Sequence, residues 1–305
     1  MSITPCRRIA RACADTLTPV KYTRRIDSEL PPSSASFLAC LATVLELEPD
    51  TLPALGAGED PVTGWTITRW LGGLGLGLAR IADSQTFTWP GPWIGRIQPT
   101  GMSETRFVVM YGVPSGVIWD PAGTGEVPGA WLTDGFLIAA TDIALARPAL
   151  PEAPPGSGSV EHIWIAGGAG EPATAVASVR ALAGRGLEGD RHVDGRGTFP
   201  SGPPGSALTL VEAEVVESFR PPLGPDEHRR NIITRGVSLN RLVGHEFTVG
   251  AVRCRGARLC EPCTVIQRYA GRPVLRELVH RGGLRADILE DGVISVGDTV
   301  RAAAA

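Results

Sequence analysis

Residues 258–263 read RLCEPC and set Cys260 and Cys263 three positions apart. Two thiols at that spacing can cycle between dithiol and disulfide, supply half of a zinc site, or leave one working thiolate beside a neighbour. The redox reading calls for a thioredoxin-like context, with the first cysteine at the N-terminus of a helix that follows a strand. Here the pair follows a strand, and Pro262 lies between the cysteines. A zinc site calls for about four ligands. No second C-x-x-C exists, and the five histidines do not fall at finger spacing. Burial as a small apolar residue is the bland alternative for either thiol. The remaining cysteines, Cys6, Cys13, Cys40 and Cys254, are scattered without the regular spacing of a stapled secreted domain.

Two further clusters share the second half with this pair. GRGLEGDRHVDGRG, residues 184–197, is glycine-dense and carries Asp190, Arg191 and His192. EHRRNIITRGVSLNRLVG, residues 227–244, carries Arg229, Arg230, Asn231, Thr234, Arg235 and Asn240. Glycine lets backbone approach a ligand, and arginine grips phosphate through paired donors. Asparagine donates and accepts at once, as recognition of a fused heterocycle requires. Solvated loops and ordinary turns are the competing reading of the same residues.

The elements that must position these residues can be read from patterning. RPALPEAPPGSGSVEH, residues 147–162, has the composition of a linker and divides the chain into similar halves. The expected organisation is an N-terminal arm over 1–25, an α+β domain over 26–146, a linker over 147–159 and a mostly-β barrel with short helices over 160–303. In the first half, SFLACLATVLEL has helical spacing, and GWTITRWLGGLGLGLARI reads as a second helix weakened by glycines. PWIGRIQ, TRFVVMYG and GVIWDP read as strands, so the half is α+β. In the second half, strands are expected over VEHIWIAGG, TAVASVRALAG and HEFTVGAVRCRGARLC, the last being two strands joined at VGA. GSALTLVEAEVVESF reads as a strand leading into a helix, and PVLRELVHRG as a short helix. GLRADILEDGVISVGDTVR is expected to fold as two strands meeting in a hairpin at EDG.

Composition removes several function classes. The net charge of −3 gives no electrostatic reason to expect nucleic acid or an acidic membrane. No apolar run reaches the roughly 18 residues of a membrane span, and the N-terminus lacks the apolar core of a secretory signal. A cytoplasmic, reducing location with free thiols is expected.

Taken together, GLEGDRH, RRNIITRGVSLNRLVG, RLCEPC and HRGGLRADIL…VGD resemble the MOSC domain, named for the C-terminal part of molybdenum cofactor sulfurase. The similarity covers residues 160–303 and looks most like the small stand-alone bacterial members. It implies a β-barrel that holds a molybdenum cofactor (molybdopterin) or handles its sulfur. The family's essential cysteine matches Cys263, which in relatives ligates molybdenum or carries a persulfide. Both roles need a thiolate, a soft ligand and a good nucleophile. The Arg and Asn positions around the pterin and its phosphate match Arg191, Arg230, Asn231 and Arg235. Asn240 and Cys260 join them as cofactor-binding candidates, Cys260 without an assigned role. The resemblance implies either reduction of N-hydroxylated compounds or sulfur transfer, with a small-molecule substrate or sulfur donor as partner. The alternative is a carrier module without turnover. A reductase would need an external electron donor, since no flavin, haem or iron–sulfur motif is visible. A complete sulfurase also needs a Schiff-base lysine for pyridoxal phosphate. Lys21 is the only lysine and lies in the arm, which excludes a self-sufficient sulfurase.

The first half is similar to a papain-like family related to bacteriocin-processing peptidases, through SFLACLATVLELEPDTLP, WTITRWLGGLGL and RFVVMYGVPSGVIWDPAG. The family's Cys, His and Asp positions match Ser36, Arg106 and Asp120. Without thiol and imidazole there is neither activated nucleophile nor base, which implies a non-catalytic, partner-binding domain. Cys40, one turn after Ser36, is expected in the core.

Overall fold

The computed structural model describes residues 29–113, 115–122, 131–141, 156–198 and 204–303. The N-terminal arm with Lys21, and most of the linker, lie outside the described residues. The chain divides into two compact units, Met1–Trp70 with Leu78–Ile138, and Leu71–Gly77 with Ala139–Ala305. No helix among the described residues is long and apolar enough to cross a membrane.

The first unit is α+β. Helix α1 (Pro32–Leu45) begins with proline, whose missing N–H costs nothing in a first turn, and ends at Glu46 in the left-handed conformation. It lies against strands β2 (Trp89–Gln98) and β3 (Arg106–Gly112). Phe37 on the helix meets Phe107 on β3 edge-on at 5.0 Å, which places the core of the unit between helix and sheet. The five-stranded sheet runs β1–β5–β2–β3–β4, with β1 at Leu76–Ile81, β4 at Gly116–Trp119 and β5 at Trp131–Ala140.

Two expectations for this unit need correction. The segment read as one long helix is helix α2 (Trp65–Gly73) followed by β1. Gly75 turns the chain at φ +69, a left-handed value that glycine adopts freely. The residues beyond it, LGLARI, form the strand, with Gly77, Leu78, Ala79 and Ile81 buried. Strand β5 was not anticipated, because Asp134 and Gly135 interrupt its apolar pattern. Asp134 is only 3% exposed, and Arg80 donates to its carboxylate at 2.8 Å.

The second unit is built on a closed barrel of seven strands. Around the ring they are β11 (Ile232–Arg235), β10 (Leu208–Glu212), β14 (Leu284–Ile288), β13 (Val252–Leu259), β12 (Glu246–Val249), β16 (Thr299–Ala302) and β6 (Gly158–Ile165). Pairing of β6 back onto β11 closes it, which leaves no edge within the ring. All neighbours are antiparallel except β10 and β11. Inward positions alternate with outward ones: on β13 Val252 and Cys254 are buried, while Arg253 and Arg255 are exposed. Phe247, Leu210, Leu284 and Val300 fill the interior.

Strand β7 (Thr174–Val176) attaches to β6. A separate small sheet joins β15 (Gly292–Ser295), β8 (Ser178–Leu182) and β9 (Gly186–Leu187). The expected hairpin at EDG does not form. Asp291 instead accepts the N–H of Ala183 at 2.8 Å, and β15 pairs with β8 rather than β14. The helices are short, as expected: α3 (Ala213–Val216), α4 (Pro225–His228), α5 (Thr264–Ala270) and α6 (Leu275–Leu278). Helix α5, directly after the cysteine pair, was not anticipated.

Candidate functional site

One end of the barrel gathers most of the polar clusters. The end of β6, the start of β11, the end of β13 and the start of β14 meet there, and the segment after β9 joins them. At its centre is Asp190, 1% exposed. Its Oδ2 accepts from the Ala166 backbone (3.1 Å), Arg191 Nη1 (3.1 Å) and Asn231 Nδ2 (3.0 Å), and its Oδ1 from the His192 backbone (3.2 Å). A buried carboxylate is tolerable only with this many donors.

Asn231 is engaged by the protein on both sides of its amide. It donates to Trp164 O (3.2 Å) as well as to Asp190, and its Oδ1 accepts from the Thr209 hydroxyl at 2.8 Å. Arg230 is buried rather than exposed. It donates to the carbonyls of Gly282 (2.9 Å), His228 (2.9 Å) and Cys260 (3.2 Å), tying three loops together. The Arg230 backbone N–H donates to His228 Nδ1 at 3.0 Å, so that nitrogen carries no proton. Burial, with Arg230, Arg229 and His162 adding to it, lowers the His228 pKa to about 3. Burial also lowers His192 to about 4, Arg191 and Arg285 adding to the effect against Asp190. Both rings are neutral at neutral pH.

Arg191 donates to Asp190 and, through Nη2, to Arg229 O at 3.2 Å. Burial and the neighbouring guanidinium groups of Arg229 and Arg230 weaken its hold on its proton, while Asp190 opposes them. Arg229 adopts the left-handed conformation at φ +57, as the C-terminal cap of α4. Its side chain is 9% exposed and its Nη1 donates to Glu171 O at 2.6 Å, with Asp226 at 3.3 Å. The guanidinium lies 5.1 Å from the ring centre of Tyr269 on α5. Arg229 Nη2 is buried and has no hydrogen-bond partner among the described residues. An unmet charged donor in such a place costs free energy unless an acceptor arrives. Sequence reading named Arg229 in its cluster but gave it no role, and no spacing signal could have done so, because a left-handed non-glycine residue is not visible in sequence.

The remaining candidates sort by location. Arg235 is not brought to this end: it closes β11 at the opposite end, where it ion-pairs with Glu161 and Glu217 at the surface. Asn240 donates to His280 O at 2.8 Å and so anchors the turn before β14. Gly282 and Gly283 in that turn admit close backbone packing, since a Cβ on them would fall 2.2 Å from Cys260 O and 1.9 Å from Leu210 O.

All four described cysteines are free thiols. Burial, with Asp120 adding to it, raises the Cys40 pKa well above the ordinary thiol value, and burial with Asp287 pushes Cys254 up to about 12. Both are inert packing residues, Cys40 as expected of the core. Cys260 is 1% exposed. Burial raises its pKa, but Arg230, Arg285 and Arg258 outweigh burial and leave the pKa lowered. Cys263 is only half-buried, at the N-cap of α5 and packed beside the same apolar cluster as Trp164. A strand does lead through the pair into a helix, but the second cysteine, not the first, heads that helix. Among the described residues no group of three or more His, Cys, Asp and Glu side chains is arranged to hold a metal ion. A single thiolate completing a metal otherwise held by a pterin needs no such group.

The MOSC domain family model matches residues 201–301. Residues 201–301 are a MOSC domain. The match takes in Arg229, Arg230, Asn231, both cysteines of the pair and the 280–283 turn, in a family associated with molybdenum cofactor binding. Among solved structures, the chain is similar to the YuaD protein of Bacillus subtilis at 18% identity, over 48% of this chain and 95% of that one, with a TM-score of 0.39. YiiM from Geobacillus stearothermophilus is similar at 14% identity, over 48% and 75%, with a TM-score of 0.36. YiiM from Escherichia coli is similar at 16% identity, over 48% and 70%, with a TM-score of 0.36. No curated protein matches the chain. The MOSC match does not extend to the first unit, whose papain-like resemblance is not confirmed.

In that unit the three positions singled out are nevertheless neighbours. Ser36 donates to Ser33 O (3.0 Å) and accepts from the Phe107 backbone (3.0 Å), next to Arg106. Arg106 in turn donates to Asp120 at 2.8 Å.

Proposed function

We propose that the second unit binds a molybdenum cofactor, molybdopterin with its metal, with the Cys263 thiolate as protein ligand, and reduces N-hydroxylated small molecules. The observation that carries this reading is the buried, unmet Nη2 of Arg229 beside Arg191, at the barrel end that also bears Cys263. An anionic group such as a pterin phosphate supplies the acceptor that the protein does not, so the residues present fit the group. When bound, the cofactor would supply two-electron chemistry at molybdenum. Arg191 and Arg229 would hold its anionic end, and Cys263 would offer the soft ligand. Arg230, Asn231 and Asp190 form the frame that keeps the arginines in place. Electrons would come from an external donor. A cytoplasmic location suits a working thiol.

The other reading of the same thiol is a persulfide-bearing sulfur carrier or transferase, favoured by the partial exposure of Cys263. Purification from a host that makes the cofactor, followed by molybdenum and pterin quantitation and turnover with hydroxylamine-type substrates, tests the proposal. Bound molybdenum with turnover supports the reductase. Bound pterin without turnover supports a non-catalytic cofactor carrier, and a persulfide on Cys263 without pterin supports the sulfur carrier. The absence of both from wild-type protein contradicts cofactor binding.

We further propose that the first unit is a non-catalytic partner-binding domain. The Ser36 hydroxyl is engaged on both sides, and Arg106 is a guanidinium that cannot shuttle a proton.

A further inference from the structure

The residue between Cys260 and Pro262 has no assigned role, yet its side chain makes one of the tightest contacts at this end of the barrel. Glu261 Oε2 accepts the backbone N–H of His280 at 2.9 Å, and its Oε1 lies 2.6 Å from His280 Nδ1. The His280 side chain is 3% exposed, and its backbone sits at φ +57. Such a conformation persists in a non-glycine residue only where the surroundings hold it. Asn240 supplies part of that hold by donating to the His280 carbonyl.

The neighbouring contacts show what the pair restrains. The Cys260 N–H donates to Gly283 O at 2.7 Å, and Arg230 bridges the carbonyls of Cys260 and Gly282. Cys260 is therefore fixed to the 280–283 turn through its backbone. Downstream, the Cys263 carbonyl accepts from Ile266 and Gln267, so its backbone is fixed to α5. Only two residues connect these anchors. Pro262 has a ring-locked φ and biases the residue before it toward extended backbone. Glu261 has no ring lock of its own; beyond the bias from Pro262, its carboxylate ties it to His280.

We infer that Glu261 and His280 are positioning residues that fix the Cys263 thiol by clamping the two-residue link to the turn before β14. The inference rests on Cys263 as the working thiol, and its test reads thiol placement without any cofactor. Full-length, cofactor-free protein is treated with iodoacetamide, and labelling of each cysteine is followed by peptide mass spectrometry. Glu261→Ala is expected to speed alkylation of Cys263 about tenfold by local opening, with labelling of Cys40 and Cys254 unchanged. Glu261→Gln can keep both contacts, its Oε1 accepting the His280 backbone N–H and its amide donating to His280 Nδ1, and is expected to restore most of the wild-type rate. His280→Asn, which tolerates left-handed backbone, is expected to repeat the Ala effect and serves if Glu261→Ala does not fold. A folded Glu261→Ala or His280→Asn protein whose Cys263 labels at the wild-type rate overturns the inference. So does a general rise in labelling at Cys40 and Cys254 with a lowered midpoint, which would mark a merely structural pair. If the clamp is upheld and wild-type protein retains no molybdenum, the cofactor proposal fails while the clamp stands.

Discussion

In the first unit, Arg106 meets Asp120 at 2.8 Å as one guanidinium and one carboxylate, and the neighbouring Ser36 hydroxyl is also engaged. In the second, the buried carboxylate of Asp190 is shared among four N–H donors. Arg191, Arg229 and Arg230 crowd around it, Asp226 offering only an exposed partner to Arg229. The same two residue types therefore give a closed pair in one place and a surplus of positive charge in the other. In a one-to-one pair the two charges already cancel, so it exerts little pull on an anion. A surplus of positive charge that includes a buried, unmet donor gains free energy when something negative joins it.

The largest expected effect separates frame from ligand-binding side chains. Arg230→Ala leaves the carbonyls of His228, Cys260 and Gly282 without their donor, at about 1–3 kcal/mol for each buried group. Chemical denaturation is expected to show a loss of several kcal/mol. A near-wild-type midpoint would mean that Arg230 does not hold the loops together. In the first unit, Arg106→Gln removes the charged partner of the 8%-exposed Asp120, which keeps the Ala122 N–H at 2.9 Å, and is expected to cost about 1.5–3 kcal/mol. No gain of peptidase activity should accompany it, and cleavage of peptides by either form would break the comparison.

Acid provides the next effect. An unfolded imidazole titrates near 6.5, whereas His228 in the folded protein titrates at about 3. Between those values the unfolded chain binds the proton and the folded one does not, so stability falls as pH falls through that window. The slope contributed is at most about 1.4 kcal/mol per pH unit. His228→Asn keeps an acceptor for the Arg230 N–H and removes the titration, so denaturation midpoints between pH 6 and 4 should fall less steeply. An unchanged slope would place the acid sensitivity elsewhere. The smallest effect is that of Arg235→Ala. This residue is paired only at the surface, away from the arginine cluster, and its loss should leave cofactor content unchanged. A loss of cofactor there would extend the site to the other end of β11.

How much of this was legible in sequence depended on whether the cause was local. Helix α1 was readable because its apolar residues recur at helical spacing behind a proline start, and β12 and β13 because each alternates around a glycine turn. The hairpin at EDG was misread because that signal is local while β15 finds its partner in β8, more than a hundred residues earlier. Strand β5 was missed because Asp134 looks like a breaker until Arg80 is seen to neutralise it. At the site, the motifs pointed to loops that the structure gathers at one end of the barrel, and they singled out Cys263 rather than Cys260, which the structure buries. They could not rank the arginines. Arg229, Arg230 and Arg235 look alike in sequence, and only their surroundings distinguish an unmet donor, a loop tie and a surface ion pair.

The central claim is that the unmet charge at the barrel end holds an anionic, molybdenum-bearing pterin. Its most direct test is molybdenum and pterin per chain in wild-type and Arg229→Gln protein, both purified from a host that makes the cofactor. Losing one charge-assisted contact should weaken binding by about 1.5–3 kcal/mol, so the variant should retain much less of both while its unfolding midpoint in cofactor-free form stays near wild type. Equal retention in the two proteins, or neither molybdenum nor pterin in the wild type, would contradict the account.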